Sequence, residues 1–104
     1  ISVFEPHRYS RILSLKKEFA ASFVKSNIVL LCPLYAAGEK KNTKFKTIEF
    51  AKLISKFSKT QVILIKDFRE IEKYMRKNLI SDEIIIGMGA GSISKHMREL
   101  KNNL

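Results

Sequence analysis

The chain has 104 residues, enough for one hydrophobic core and too short for a second. Its apolar content of 45% is that of a folded globular domain, and no run approaches the apolar length of a membrane span. Twenty Lys and Arg against 10 acidic residues give a formal charge of +10, but Lys40, Lys41, Lys44, Lys46, Lys52, Lys56 and Lys59 trail along a loop and a polar helix face without interleaved aromatics. That distribution reads chiefly as a solvated face and argues against a nucleic-acid surface, with attraction of anionic small molecules as the lesser alternative. A single cysteine, Cys32, excludes an internal disulfide and fits a reducing compartment.

The first apolar run, Ile1 to Phe4, reads as the end of a buried strand, and Pro6 cannot continue a central ladder. Because Ile1 opens in what reads as mid-strand, the chain is expected to be a piece of a longer protein. Ser10 is placed to cap the helix that follows, in which Ile12, Leu15, Phe19 and Phe23 recur at spacings of three and four. Ile28–Leu31 is a second strand of the kind covered on both faces, ended by Pro33. The stretch from Leu34 to Lys46 is the longest predicted loop, and loops of that length in compact domains are often functional. Thr47 is placed to cap a second helix with Phe50, Leu53, Ile54 and Phe57 inward. Gln61–Ile65 is a third strand, and Asp67 with Glu70 has capping-box spacing before a helix carrying Ile71, Tyr74 and Met75. A fourth strand, Glu83–Ile86, runs into Gly87-Met88-Gly89-Ala90-Gly91, and a last helix uses Ile93, Met97 and Leu100. Regular alternation of strand and helix predicts a three-layer α/β/α, Rossmann-like domain with a mostly parallel sheet.

Ligands of open α/β sheets collect beyond the carboxyl ends of the strands, and there this chain places His7, Arg8 and Arg11. Forked guanidinium donors suit a carboxylate or a phosphate, although arginines of a basic turn are also ordinary solvated residues. His7 is equally suited to a ligand contact and to a structural hydrogen bond. The glycines at 87, 89 and 91 invite a dinucleotide reading, but the third glycine of that fingerprint falls at Ser92 and the chain ends before an acidic ribose ligand. A tight turn with close helix-to-sheet packing accounts for them, and Gly89 and Gly91 remain candidates for a nucleotide-side loop. No Gly-Lys-Thr or Gly-Lys-Ser phosphate loop occurs, and His7, His96 and Cys32 have no recognisable metal-ligand spacing. No catalytic residue and no metal ligand is assigned.

Pro6-His7-Arg8-Tyr9-Ser10-Arg11 resembles the Pro-His-Arg-Tyr-(Ser/Thr)-Arg signature in the last domain of the Mur ligases. Tyr35-Ala36-Ala37-Gly38-Glu39 and Met88-Gly89-Ala90-Gly91-Ser92-Ile93 recur in the order that family shows, with Ser92 where the family usually carries Asp. The resemblance spans nearly the whole chain and implies one domain, residues 1–104, forming most of a Mur ligase C-terminal domain without its first strand and helix. It implies a cytoplasmic, ATP- and Mg2+-dependent ligase of peptidoglycan synthesis that joins L-alanine to UDP-N-acetylmuramate. In that chemistry the substrate carboxylate is phosphorylated and the amine attacks the acyl phosphate, with ATP and metal held mainly by a central domain outside this chain. Carried over by motif position, His7, Arg8 and Arg11 are amino-acid-site residues, and Tyr35 and Glu39 are candidates to shape the cleft. Nucleic acid and membrane are not expected partners. On the residues alone, a stand-alone small α/β module binding an anion or a nucleotide is the alternative.

Overall fold

The computed structural model describes residues 1–79 and 83–104. Strands β1 (Ser2–Phe4), β2 (Ile28–Leu31), β3 (Gln61–Leu64) and β4 (Ile86–Met88) form one sheet in the order β3-β2-β1-β4. Every pairing is parallel, with Ser2 opposite Val29 and Ile86, and Ile28 opposite Gln61. Helices α1 (Tyr9–Ser14), α2 (Lys16–Ala20), α3 (Thr47–Ser58), α4 (Phe68–Asn78) and α5 (Ile93–Asn103) complete the alternation.

Two apolar clusters, one on each face of the sheet, make the three layers. On one face Phe4, Val29 and Leu31 pack with Ile12, Ala20, Phe23, Phe50 and Ile54 of the first three helices and their connections. On the other, Val3, Leu30, Cys32 and Ile65 pack with Ile71, Met75, Ile93 and Leu100 of α4 and α5. Neighbouring residues of β1 and β2 therefore point to opposite cores, as the period of two in a strand requires. A strand buried on both sides must be apolar throughout, which is why the runs Val3-Phe4 and Val29-Leu30-Leu31 show no polar alternation.

Several local expectations are corrected. The first amphipathic helix is a kinked pair: Leu15 stands between α1 and α2 with φ −115° and ψ 29°, and its side chain is exposed. The kink follows Ser14, whose hydroxyl bonds back to the Ser10 carbonyl at 2.9 Å, a contact that bends helices. Ser10 is no cap, because Arg8 holds the cap position and the Ser10 hydroxyl is bonded to Glu39. Thr47 is the first helical residue of α3 and Lys46 takes the cap position without a side-chain bond. Phe57 is exposed, and Ser58 takes the buried place in that last turn: its Oγ donates to the Ala20 carbonyl at 2.6 Å and accepts the Phe23 amide at 3.0 Å.

Strand β4 begins at Ile86 and takes Gly87 and Met88 into the ladder, two residues beyond the predicted stretch. Gly87 and Met88 pair there with Val3 and Phe4 of β1, and a Cβ on Gly87 would stand 2.5 Å from Met97 Cγ of α5. Gly87 is thus a close-packing residue inside a strand and the turn starts only at Gly89. Asp67 does cap α4, its Oδ1 accepting the amides of Arg69 and Glu70 at 2.9 and 3.2 Å. Glu70 reaches back to the Lys66 amide, one residue before the cap.

Candidate functional site

Beyond its last ladder residue β1 runs into Glu5-Pro6-His7, and the second strand's continuation stays beside it. The Cys32 amide donates to the Phe4 carbonyl at 2.8 Å, Tyr35 to Pro6 at 2.7 Å, and Arg8 to Tyr35 at 2.8 Å. The signature turn is therefore pinned along its backbone to the loop that follows β2. The His7 imidazole stacks on the Tyr35 ring, centroids 5.3 Å apart. Arg8 has φ 67° and ψ 131°, a conformation that costs a non-glycine residue about 1–3 kcal/mol and is held here by the Tyr35 carbonyl on one side and α1 on the other. Strain of that kind collects at ligand-binding turns.

The carboxyl ends of β1 and β4, the α1–α2 kink and the turn after β4 enclose a cleft of about 330 Å³. Phe4, Ile12, Phe19 and Met88 give it an apolar floor, Gly89 and Ala90 one wall, and His7, Arg11 and Glu5 its polar groups. The Arg11 guanidinium lies 5.8 Å from the Phe19 ring centroid and is exposed, in no ion pair among the described residues. Larger hollows of about 630 Å³ lie at the amino ends of the strands beside Lys25 and Tyr74, and along β4 beside Met97 and Leu104. Neither contains the signature residues, and neither lies at the carboxyl edge where a parallel sheet gathers ligands.

The two arginines do not share a contact. Arg11 faces the cleft, whereas Arg8 is on the outer rim with its Nε 3.8 Å from Glu39 Oε2. Glu39 is further held by the Ser10 hydroxyl at 2.6 Å and the Ser10 amide at 3.3 Å. The Ser10 hydroxyl bond chiefly, then the backbone amides of Ser10 and Tyr9 and the Arg8 charge, lower the Glu39 carboxyl below its usual value. Glu39 thus ties the long loop to the start of α1, and Tyr35 forms its half-exposed wall.

Gly89 lines the cleft and Gly91 sits behind it. A Cβ on Gly89 would lie 2.9 Å from the Glu5 carbonyl, and one on Gly91 would lie 2.7 Å from Glu5 Oε1 and 2.8 Å from Tyr35 Cδ1. These glycines let two turns approach each other over Glu5, a use of glycine the spacing alone left open. Ser92 closes the contact, its hydroxyl donating to Glu5 Oε2 at 3.1 Å. Sequence spacing does not single out Glu5 or Ser92 for this site; the one signal is a carboxylate directly after the apolar Val3-Phe4 run. Cys32 is buried behind them, and its thiol is pushed up to about 12 by burial and by the nearby Glu5 charge.

Among the described residues no group of three or more His, Cys, Asp or Glu comes together as a metal site. With no phosphate loop in the sequence either, the side chains here do not by themselves fit a bound ATP with its metal. No helix among the described residues is long and apolar enough to cross a membrane.

No family model matches the chain. Curated proteins do. The chain is 46% identical over 100 residues to the UDP-N-acetylmuramate–L-alanine ligase of Pelagibacter ubique, covering 96% of this chain and 22% of that protein. It is 38% identical over 93 residues to the ligase of the same name from Lachnospira eligens, covering 89% of this chain and 20% of that protein. The Fusobacterium nucleatum ligase is 35% identical over 104 residues, 100% of this chain and 21% of that protein. The chain spans about a fifth of the length of these relatives and aligns to their C-terminal part. With the signature turn, the Tyr35 loop and the glycine turn assembled on a parallel α/β sheet, the chain belongs to the Mur ligase family as a C-terminal domain of the UDP-N-acetylmuramate–L-alanine ligase type.

Proposed function

We propose that this chain forms the amino-acid-binding wall of a cytoplasmic, ATP- and Mg2+-dependent ligase that joins L-alanine to UDP-N-acetylmuramate. The observation that carries the reading is the placement of Arg11 and His7 around an apolar-floored cleft at the carboxyl edge of β1. A guanidinium without an ion-pair partner among the described residues provides a fork there for the alanine carboxylate, and the Phe19 and Met88 floor suits a methyl side chain better than a charged one. Arg8, braced by Glu39 on the rim, adds positive potential at the mouth and is within the same turn should the rim close on a ligand. ATP and its metal would supply activation of the other substrate's carboxylate, and residues outside this chain would hold them. This domain's task is to bind the amino acid, orient its amine and exclude water from the reacting centre as the cleft closes.

The test is ADP release by the full-length ligase with UDP-N-acetylmuramate present and alanine varied, beside the same assay on the 104-residue chain. Alanine-dependent release is expected from the former and none from the latter. Turnover by the chain alone, or a full-length protein indifferent to alanine, refutes the reading.

A further inference from the structure

The amino-acid reading assigns no role to Glu5. This residue follows β1 directly, is 3% exposed, and lines the same cleft as His7 and Arg11. One carboxylate oxygen accepts the Ser92 hydroxyl, while Oε1 is buried and without a hydrogen-bond partner. No cation is paired with it among the described residues; the short ion pairs there involve Glu39, Glu72 and Glu99.

A buried carboxylate served by a single neutral donor destabilises a fold, and a glutamine of nearly the same shape would keep the Ser92 bond without the charge. The backbone contacts of Glu5, its amide on the Met88 carbonyl and its carbonyl against Gly89, do not depend on the side chain. Packing therefore gives no reason for a negative charge at this position. An orphaned acceptor in a cleft wall points to a donor that arrives with the ligand. Oε1 lies beneath the glycine turn, where a Cβ on Gly91 would stand 2.7 Å from it and 2.8 Å from Tyr35 Cδ1; Gly91 belongs to a bend outside any helix or strand, whereas Tyr35 is held by its bridge to His7.

A free α-amino acid is a zwitterion, and a site that selects one needs a cation for its carboxylate and an anion for its ammonium. The cleft holds one of each, Arg11 and Glu5, around an apolar floor. We propose that Glu5 is the ammonium-binding residue of the amino-acid site, Oε1 accepting an N–H from the substrate as the Gly91 turn shifts to admit it. The assignment rests on the amino-acid reading and deepens it: Glu5 distinguishes an amino acid from a simple carboxylate, and orients the nitrogen.

The test uses the full-length ligase, with propionate, which has the carboxylate but no amine, as a competitor of alanine. Glu5→Gln is expected to raise the alanine KM about tenfold to a hundredfold, the range for one charge-assisted hydrogen bond. It should leave the propionate Ki and the KM values for UDP-N-acetylmuramate and ATP unchanged, with a melting temperature equal to or above the wild type's. An alanine KM within about twofold of wild type, or a propionate Ki that weakens in parallel, overturns the proposal, the latter showing that Glu5 only braces the cleft. If Arg11→Ala raises the alanine KM and Glu5→Gln does not, the ammonium assignment falls alone; if neither does, the amino-acid reading falls with it. Should Glu5→Gln give no folded enzyme, Glu5→Asp, which keeps the charge but withdraws it, decides by the same ratio of alanine KM to propionate Ki.

Discussion

Replacing Arg11 by Ala in the full-length ligase separates a binding role from a bracing one, because the structure gives the two very different magnitudes. Among the described residues the Arg11 guanidinium makes no ion pair and lies 5.8 Å over the Phe19 ring, and at an exposed site such a cation–π contact is worth about 0.5–1 kcal/mol. Loss of the side chain should therefore lower the melting temperature only slightly. A charge-assisted hydrogen bond to the alanine carboxylate is worth about 1.5–3 kcal/mol, so kcat/KM for alanine should fall roughly tenfold to a hundredfold. The KM for UDP-N-acetylmuramate should not change. Arg11→Lys should rescue in part, since it keeps the charge and loses the fork. Steady-state kinetics with each substrate varied in turn, and a melting curve on the same protein, supply the comparison. An unchanged alanine KM accompanied by a clear loss of stability would falsify the carboxylate role and make Arg11 a brace for the kink between α1 and α2.

Other expectations follow from the core and the rim. Ser58→Ala strips the partner from the Ala20 carbonyl and the Phe23 amide, both buried, and should cost about 1–3 kcal/mol in urea unfolding with an unchanged m-value. Cys32, with its thiol raised to about 12, should resist disulfide-exchange reagents at pH 8 in the native protein and react at once on unfolding; fast native labelling would show that the core around Cys32 opens readily. Because the folded Glu39 carboxyl lies below its ordinary 4.5, its contribution to stability is fully present above that pH and is lost as the pH falls through the lower folded value. The melting-temperature gap between wild type and Glu39→Gln should accordingly close on acidification below pH 4.5, and a gap that persists unchanged would show that the Ser10 and Arg8 contacts do not depend on the charge.

Features set by nearest neighbours were readable in the amino-acid sequence. The apolar run at 28–31 suits a strand covered on both faces, which it is, and Asp67 announces α4 because its carboxylate reaches the amides two and three residues on. The signature turn was legible for the same reason, as Pro6 ends the ladder within a few residues of the arginines. What depended on distant partners was not. Gly87 joins a strand by pairing with Val3 and leaves room there for Met97, and Leu15 lies on the apolar stripe yet is exposed because the helix kinks at Ser14. Periodicity cannot foresee which of two arginines a remote glutamate will claim, and Glu39 draws Arg8 to the rim while Arg11 is left to the cleft. Glu5 and Ser92 are 87 positions apart and meet only when β4 docks beside β1. Local sequence thus determined the elements and the candidate turn, because those rest on backbone preference and short-range hydrogen bonds. Tertiary structure alone decided the strand order, the split between the arginines and the buried carboxylate beneath the glycine turn, because each is a contact between segments that carry no trace of one another until the sheet has formed.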